Sequence, residues 1–327
     1  MKKLKIGVIG VGYWGKKIVE EYTELSKGNE GVSVESVCDL NEENLKYCKE
    51  RFGIANVYHD YSELLSIPEI DAVNICTSNE THYRICKDAL NANKHVLLEK
   101  PMTLKSSEAY ELVRLAEKKG LTLSVGHIFR FNNALRKVRE LLKEGFFGDL
   151  YYLDLQWTTL FNAQNRDIIT DLAPHPFDIL NFLTDMWPER ITCVAKGYRD
   201  HKREEIAFIS SEFENRIMGH MHLSWLMPGK TRLVRVSGSK NAAEIDCLSQ
   251  EVNVSDGQKR YSLDVNENNT IRSELEYFLE CIRNSSSGRE YTNNNDGIVG
   301  ARVVELLEAS KRSIEQSKTV SVDSLEV

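Results

Sequence analysis

An acid and an imidazole stand four residues apart in Asp171-Leu172-Ala173-Pro174-His175. A lysine sits between an acid and a proline in Glu99-Lys100-Pro101. An arginine lies in the run Gly126-His127-Ile128-Phe129-Arg130-Phe131-Asn132. These residue types suit proton transfer and the holding of a polar ligand. Pro101 fixes its own φ and pushes Lys100 out of the helical region. The amine is then either presented at a strand end or is an ordinary surface lysine. Asp171 would orient the His175 ring and favour its protonated form if both face one pocket. Alternatively, Asp171 caps a helix that starts near Ala173, with Pro174 in its first turn and His175 packed. Arg130 binds a hydroxyl or phosphate, or makes an interdomain ion pair.

The elements that position these groups begin at the N-terminus. Leu4 to Ile9 reads as a buried strand of the parallel type, and Gly10-Val11-Gly12-Tyr13-Trp14-Gly15 follows it as a G-x-G-x-x-G turn. Ile18, Val19, Tyr22 and Leu25 then recur at helical spacing. Gly10 lets the chain turn off the strand, and Gly12 lets a pyrophosphate approach the backbone. Gly15 lets the helix pack close. The new helix aims free N–H groups and its positive dipole end at that phosphate. A second strand, Val32 to Cys38, ends at Asp39. A carboxylate there accepts from the ribose hydroxyls and repels a 2′-phosphate, so the turn favours NAD over NADP.

Strand and helix alternate to about residue 125. Helices are expected over about 44–51, 61–66, 77–92 and 106–119, and strands over about 57–59, 70–76, 94–98 and 121–125. That alternation predicts a parallel sheet covered on both faces, with ligands outside the carboxyl ends of its strands. Gly10, Asp39, Thr77 and Glu99 mark those ends. After Gly126 the pattern changes. A helix over Asn133 to Lys143 precedes eight strands at about 150–158, 190–198, 206–213, 217–225, 231–237, 242–247, 251–255 and 260–264. Their period-two alternation and short turns predict an antiparallel sheet. Helices at about 271–283 and 296–316 close the chain. With 327 residues, two domains are expected: 1–125, which binds the dinucleotide, and 126–327.

Composition excludes several classes. No apolar run reaches 18 residues, so no membrane span is expected. The first strand starts almost at once, which leaves no room for a signal peptide. Seven scattered cysteines without C-x-x-C suggest neither a disulfide framework nor a zinc ribbon and fit the cytoplasm. A net charge of −7 argues against nucleic acid as a partner but not against an anionic small substrate. His220 and His222 share a strand face without a third ligand at recognisable spacing, so no metal is expected.

Together and in order, the glycine turn, Thr77-Ser78-Asn79 with His82, Glu99-Lys100-Pro101 and the Asp171/His175 spacing resemble the Gfo/Idh/MocA oxidoreductases. The resemblance covers essentially the whole chain. It implies an α/β protein in which an N-terminal Rossmann domain precedes a C-terminal α+β domain with an open antiparallel sheet. That second domain would bind substrate and mediate oligomerisation. The implied reaction is hydride transfer between a sugar or polyol carbon and NAD. The implied assembly is a homodimer or homotetramer paired through the open sheets. Lys100, Asp171 and His175 fall on the catalytic positions, and Asp39 on the ribose-binding acid. Thr77, Ser78, Asn79 and Glu99 fall on cofactor-lining positions. The expected cofactor set is completed by Gly10, Gly12, Tyr13, Trp14, Gly15, His82 and Lys100. The expected substrate set is Lys100, Arg130, Arg166, Asp171 and His175.

Tyr13-Trp14-Gly15, Phe129-Arg130-Phe131-Asn132 and Arg166-Asp167 are similar to the nucleotide-sugar 3-dehydrogenase branch. Members of that branch oxidise the C3 hydroxyl of UDP-N-acetylhexosamines or their uronic acids. Pro176 stands where an Asp often follows the histidine, and Asn133 where a Pro often sits. Either Lys100 or His175 would accept the hydroxyl proton. The rival readings are a dehydrogenase of a free sugar, inositol or sugar phosphate, and an NAD-binding sensor without catalysis.

Overall fold

A computed structural model describes residues 3–28, 31–161, 166–199, 203–286 and 293–322. The chain divides into two compact units. One holds the chain up to His127 together with Thr270–Ala301, and the other holds Ile128–Asn269 and Arg302–Glu326.

In the first unit, strands β1 (Leu4–Ile9), β2 (Val32–Cys38), β3 (Asn56–Tyr58), β4 (Ala72–Ile75), β5 (His95–Leu98) and β6 (Leu123–Val125) form one sheet. Their order is β3-β2-β1-β4-β5-β6, and every pair is parallel. The order reverses between β1 and β4, and a ligand crevice opens at such a switch point. The helices are α1 (Tyr13–Lys27), α2 (Glu42–Phe52), α3 (Tyr61–Leu65), α4 (Asn79–Asn91) and α5 (Ser106–Lys119). Ile18, Val19, Tyr22 and Leu25 of α1 are buried, as their spacing predicts. Asn41 and Asp60 cap α2 and α3 by accepting from the N–H groups of Glu43 and Ser62. No side chain caps α1 or α4.

In the second unit, helix α6 (Asn133–Lys143) has the bounds expected. After it come β7 (Leu150–Leu160), α7 (Ile168–Leu172), α8 (Pro174–Thr184), β8 (Arg190–Lys196), β9 (Ile206–Glu212) and β10 (Met218–Ser224). Then follow β11 (Leu226–Gly238), β12 (Ala242–Asp246), β13 (Glu251–Ser255) and β14 (Arg260–Leu263). Helices α9 (Thr270–Ser286) and α10 (Gly297–Gln316) precede a short last strand, β15 (Val320–Ser321). The nine strands form one sheet in the order β14-β13-β12-β11-β7-β10-β9-β8-β15. Alternation places Gly219, Met221 and Leu223 of β10 in the core, with His220 and His222 on the other face.

Three expectations need correction. The sheet is mixed, because β10 runs parallel to β7. Two helices and two strands separate them in the chain, and a crossover of that length permits parallel pairing where a hairpin would not. Strand β11 starts at Leu226 rather than 231, and its register with β7 shifts between Leu226 and Thr231. A bulge of this kind leaves no alternation to read. Residues 270–301 were expected in the second domain, but α9 belongs to the first unit. Its Leu275, Phe278, Leu279 and Ile282 share a core with Ile18, Tyr22 and Leu25 of α1, and tertiary packing of this kind is invisible to local pattern.

Candidate active site

The glycine turn follows β1 at the switch point. Gly10 has a φ of 86°, and a Cβ on it would lie 2.7 Å from the carbonyl oxygen of Cys76. A Cβ on Gly15 would lie 1.9 Å from the Gly10 carbonyl oxygen, so the close approach of α1 to the strand end depends on that glycine. Gly12 differs from both. Its φ is −70°, and a Cβ there would meet nothing within 4 Å. Neither backbone conformation nor internal packing requires glycine at that position. Close approach by a ligand supplies the reason.

Asp39 follows the end of β2. Its carboxylate accepts from the N–H of Val11 at 2.7 Å and from the N–H of Asn41 at 2.8 Å. The acid is thus tied to the turn it serves. Asp39→Asn should keep the turn and lose the charge, raising the ratio of NADP to NAD affinity. Asp39→Ala should in addition weaken NAD about tenfold or more, since hydrogen bonds to charged groups contribute about 1.5–3 kcal/mol. Titration with both dinucleotides checks this, and tighter wild-type binding of NADP would refute it.

Glu99 and Lys100 follow β5. The Trp14 indole N–H donates to the Glu99 carboxylate, which joins the glycine turn to the lysine-bearing segment. The backbone N–H of Lys100 donates to the same carboxylate at 3.3 Å. Burial pushes the Glu99 carboxyl up to about 7, against the opposing pull of the Lys100 charge and these hydrogen bonds. Glu99 therefore keeps its proton in the folded protein over a range where the unfolded chain has lost it. Stability contributed this way is present at low pH and falls as pH rises from about 4.5 to about 7. Glu99→Gln should flatten that slope in thermal melts, and an unchanged slope would refute the assignment.

His82, a cofactor candidate, is fully buried. Its ring nitrogens lie 2.9 Å from the Pro101 carbonyl oxygen and 3.1 Å from that of Thr77. The ring sits between the two loops that flank it rather than presenting itself at the surface. Burial pushes its pKa down. Thr77, Ser78 and Asn79 sit where β4 hands over to α4, and Thr81 donates to the Thr77 hydroxyl at 2.8 Å. Tyr13 is 78% exposed on the first turn of α1, with the Lys17 ammonium 4.7 Å from its ring centroid.

The second unit carries Arg166, Asp171 and His175. Asp171 does not precede the helix that Pro174 opens. It lies inside the separate five-residue α7, whose cap is Asp167, accepting from the Thr170 N–H at 2.7 Å. The capping alternative for Asp171 therefore falls, and its carboxylate lies 3.4 Å from the Arg166 guanidinium. His175, near the start of α8, packs edge-on against Phe129, with centroids 5.0 Å apart, and Phe129 packs likewise on Trp157 at 5.2 Å. Arg130 is corrected. It is 6% exposed, and its Nε lies 2.5 Å from Asp178 within the same unit. Its guanidinium is committed inward instead of lining a substrate surface, and the ion pair is not interdomain.

Phe129, Trp157 and Arg232 were not assigned roles from the sequence. Arg232 carried a usable signal, since it shares strand parity with the core residues Val234 and Val236. His220 and His222 stack on Phe208, at 6.3 and 4.8 Å. Among the described residues, no three His, Cys, Asp or Glu side chains are grouped to hold a metal.

Residues 4–127 match a family model described as "Oxidoreductase family, NAD-binding Rossmann fold". Residues 135–244 match the "GFO/IDH/MocA C-terminal domain". The chain belongs to the Gfo/Idh/MocA oxidoreductase family. It is 26% identical over 316 residues to a UDP-N-acetylglucosamine 3-dehydrogenase of Acidithiobacillus ferrooxidans, covering 93% of this chain and 95% of that one. It is 24% identical over 339 residues to a myo-inositol 2-dehydrogenase of Thermotoga maritima, covering 98% and 99% respectively. A solved structure of the Acidithiobacillus enzyme matches the fold with a TM-score of 0.84 at 24% identity, over 97% of this chain and 99% of that one. The NAD-binding Rossmann domain of a Gfo/Idh/MocA oxidoreductase fits the open space over Gly12, the uncapped start of α1 and the position of Asp39.

Proposed function

We propose that the protein is an NAD-dependent sugar dehydrogenase acting on a ring hydroxyl of a nucleotide sugar, with the C3 hydroxyl of a UDP-N-acetylhexosamine as the first candidate. The observation that carries the reading is the Trp14–Glu99 hydrogen bond, which links the dinucleotide turn to the segment bearing Lys100. When bound, NAD supplies the hydride acceptor. Gly10, Gly12, Gly15 and Asp39 hold it. Lys100 takes the proton of the reacting hydroxyl, and His175 with Asp171 is the alternative acceptor. Asp171 orients the imidazole, while Phe129 packs edge-on against the ring. Arg166 keeps a cation beside Asp171. The likeness to the UDP-N-acetylglucosamine enzyme supports the nucleotide-sugar choice.

The test is NADH formation from UDP-N-acetylglucosamine, its uronic acid, free hexoses and myo-inositol. Turnover fastest on a nucleotide sugar supports the reading. A preference for inositol or a free hexose moves the substrate class, and no turnover on any compound favours a sensor. We also place the protein in the cytoplasm, where its free thiols fit, which cell fractionation would check. No helix among the described residues is long and apolar enough to cross a membrane. The assembly proposed is a homodimer or homotetramer paired through the open sheet face. Light scattering at micromolar concentration would exclude it by giving the monomer mass.

A further inference from the structure

Arg232 and Arg235 stand three residues apart on β11 and therefore face opposite sides of the sheet. Arg235 is matched there, at 2.9 Å from both Asp154 and Glu244. Arg232 lies directly across from Trp157 of β7 and shares its face. Trp157 is fully buried, and the Arg232 guanidinium sits 5.6 Å from its ring centroid. The Arg232 Nη1 donates to the carbonyl oxygens of Thr158 at 3.0 Å and Thr231 at 2.7 Å. Among the described residues its Nε and Nη2 make no hydrogen bond, and no acid lies within 4.0 Å of it.

A half-buried guanidinium without a carboxylate partner is costly, and folded chains pair such charges when they have no other use for them. The acid whose charge reaches Arg232 most strongly is Asp171. That carboxylate is already shared with Arg166. Trp157, the ring under Arg232, contacts Phe129, and Phe129 contacts His175. The unmatched cation thus borders the proposed proton-handling pair within one unit. Arg232 also follows directly on the bulged stretch between Leu226 and Thr231, and bulges of this kind re-aim side chains beside sites. A neutral hydroxyl would not need a full charge in that place. An oxyanion would, because it alone offsets the cost and fits the guanidinium fork.

We propose that Arg232 anchors an oxyanion of the substrate, a phosphate or carboxylate carried by the sugar, through its Nε and Nη2 N–H groups beside Asp171 and His175. The choice of a sugar rests on the dehydrogenase reading, whereas the anion site stands on Arg232 itself.

The test uses NADH-saturated full-length protein, titrated calorimetrically with UDP-N-acetylglucosamine, glucuronate and glucose. Wild type should bind at least one anionic ligand more tightly than glucose. Preference for the first assigns a phosphate, and preference for the second a carboxylate. Arg232→Met should weaken the anionic ligand about tenfold to a hundredfold, as for a lost charged hydrogen bond, and leave glucose unchanged. Arg232→Lys should recover part of the loss. The Tm of Arg232→Met should equal or exceed that of wild type, because an uncompensated charge has been removed. Wild type that binds neither anion, or Arg232→Met that binds them as tightly as wild type, overturns the proposal. A large fall in Tm together with unchanged anion affinity in Arg232→Lys overturns it too, assigning Arg232 to packing. Anion binding without NADH formation from any sugar would sink the dehydrogenase reading and leave the anchor standing.

Discussion

Lys100→Ala should lower turnover by about a hundredfold to ten-thousandfold while leaving NAD affinity nearly unchanged, since proton-transfer groups contribute on that scale. The separation of the two effects follows from where the contacts are made. In the proposed site the dinucleotide is held by the glycine turn and Asp39, and Asp39 is anchored by the N–H groups of Val11 and Asn41, not by Lys100. The bond from position 100 to Glu99 comes from its backbone N–H and survives the substitution. His175→Ala should also be severe. If both groups serve one proton, the double variant loses less than the product of the single losses. Asp171→Asn should be milder, because it disturbs the orientation and charge of the ring but leaves both proton carriers. Turnover and NAD binding measured on the four variants decide the matter. Near-wild-type turnover in Lys100→Ala would show the site misassigned. Loss of NAD binding would make Lys100 a cofactor anchor and pass the proton to His175.

The parts of this site that were legible in the sequence are those whose reasons are local. A glycine that must adopt a φ of 86°, a helix that starts directly after it and an acid at the next strand end all lie within forty residues. Period-two alternation gave the core face of β10 for the same reason. What failed was non-local or was hidden by a short element. Asp171 looked like a cap because Pro174 does open a helix, but a five-residue helix with its own cap, Asp167, ends just before it. The parallel pairing of β10 with β7 depends on which strand is next in space, and alternation does not encode that. Arg232 was passed over although its parity with Val234 and Val236 was visible, because its place over Trp157 depends on which strand lies next to β11. Arg130 was singled out correctly as unusual, but the acid that explains it lies 48 residues further on.

That acid sets the second large effect. Asp178→Ala should destabilise the protein by about 3–5 kcal/mol, the range for breaking a buried ion pair from one side. Arg130 and Asp178 are 6% and 1% exposed, and their Nε–Oδ1 distance is 2.5 Å. The Arg130 Nη2 donates to Asn181 at 2.6 Å, and the guanidinium lies 5.6 Å from the Phe182 ring centroid. Removing the carboxylate takes away the counter-charge of a cation that is only 6% exposed. Arg130→Met leaves the converse, a buried carboxylate, and should cost a similar amount. Replacing both, as Arg130→Met with Asp178→Leu, removes both desolvation terms and should come back close to wild type, since apolar pairs of similar volume often replace buried ion pairs without loss. Urea melts of the three variants therefore separate the two roles considered for Arg130. A substrate ligand would raise KM on substitution and leave stability alone. A packing ion pair moves the melts, and the double variant restores them. Because Arg130 directly follows Phe129 in the chain and Phe129 packs on His175, the single variants should also lower turnover, and the double variant should recover it along with stability.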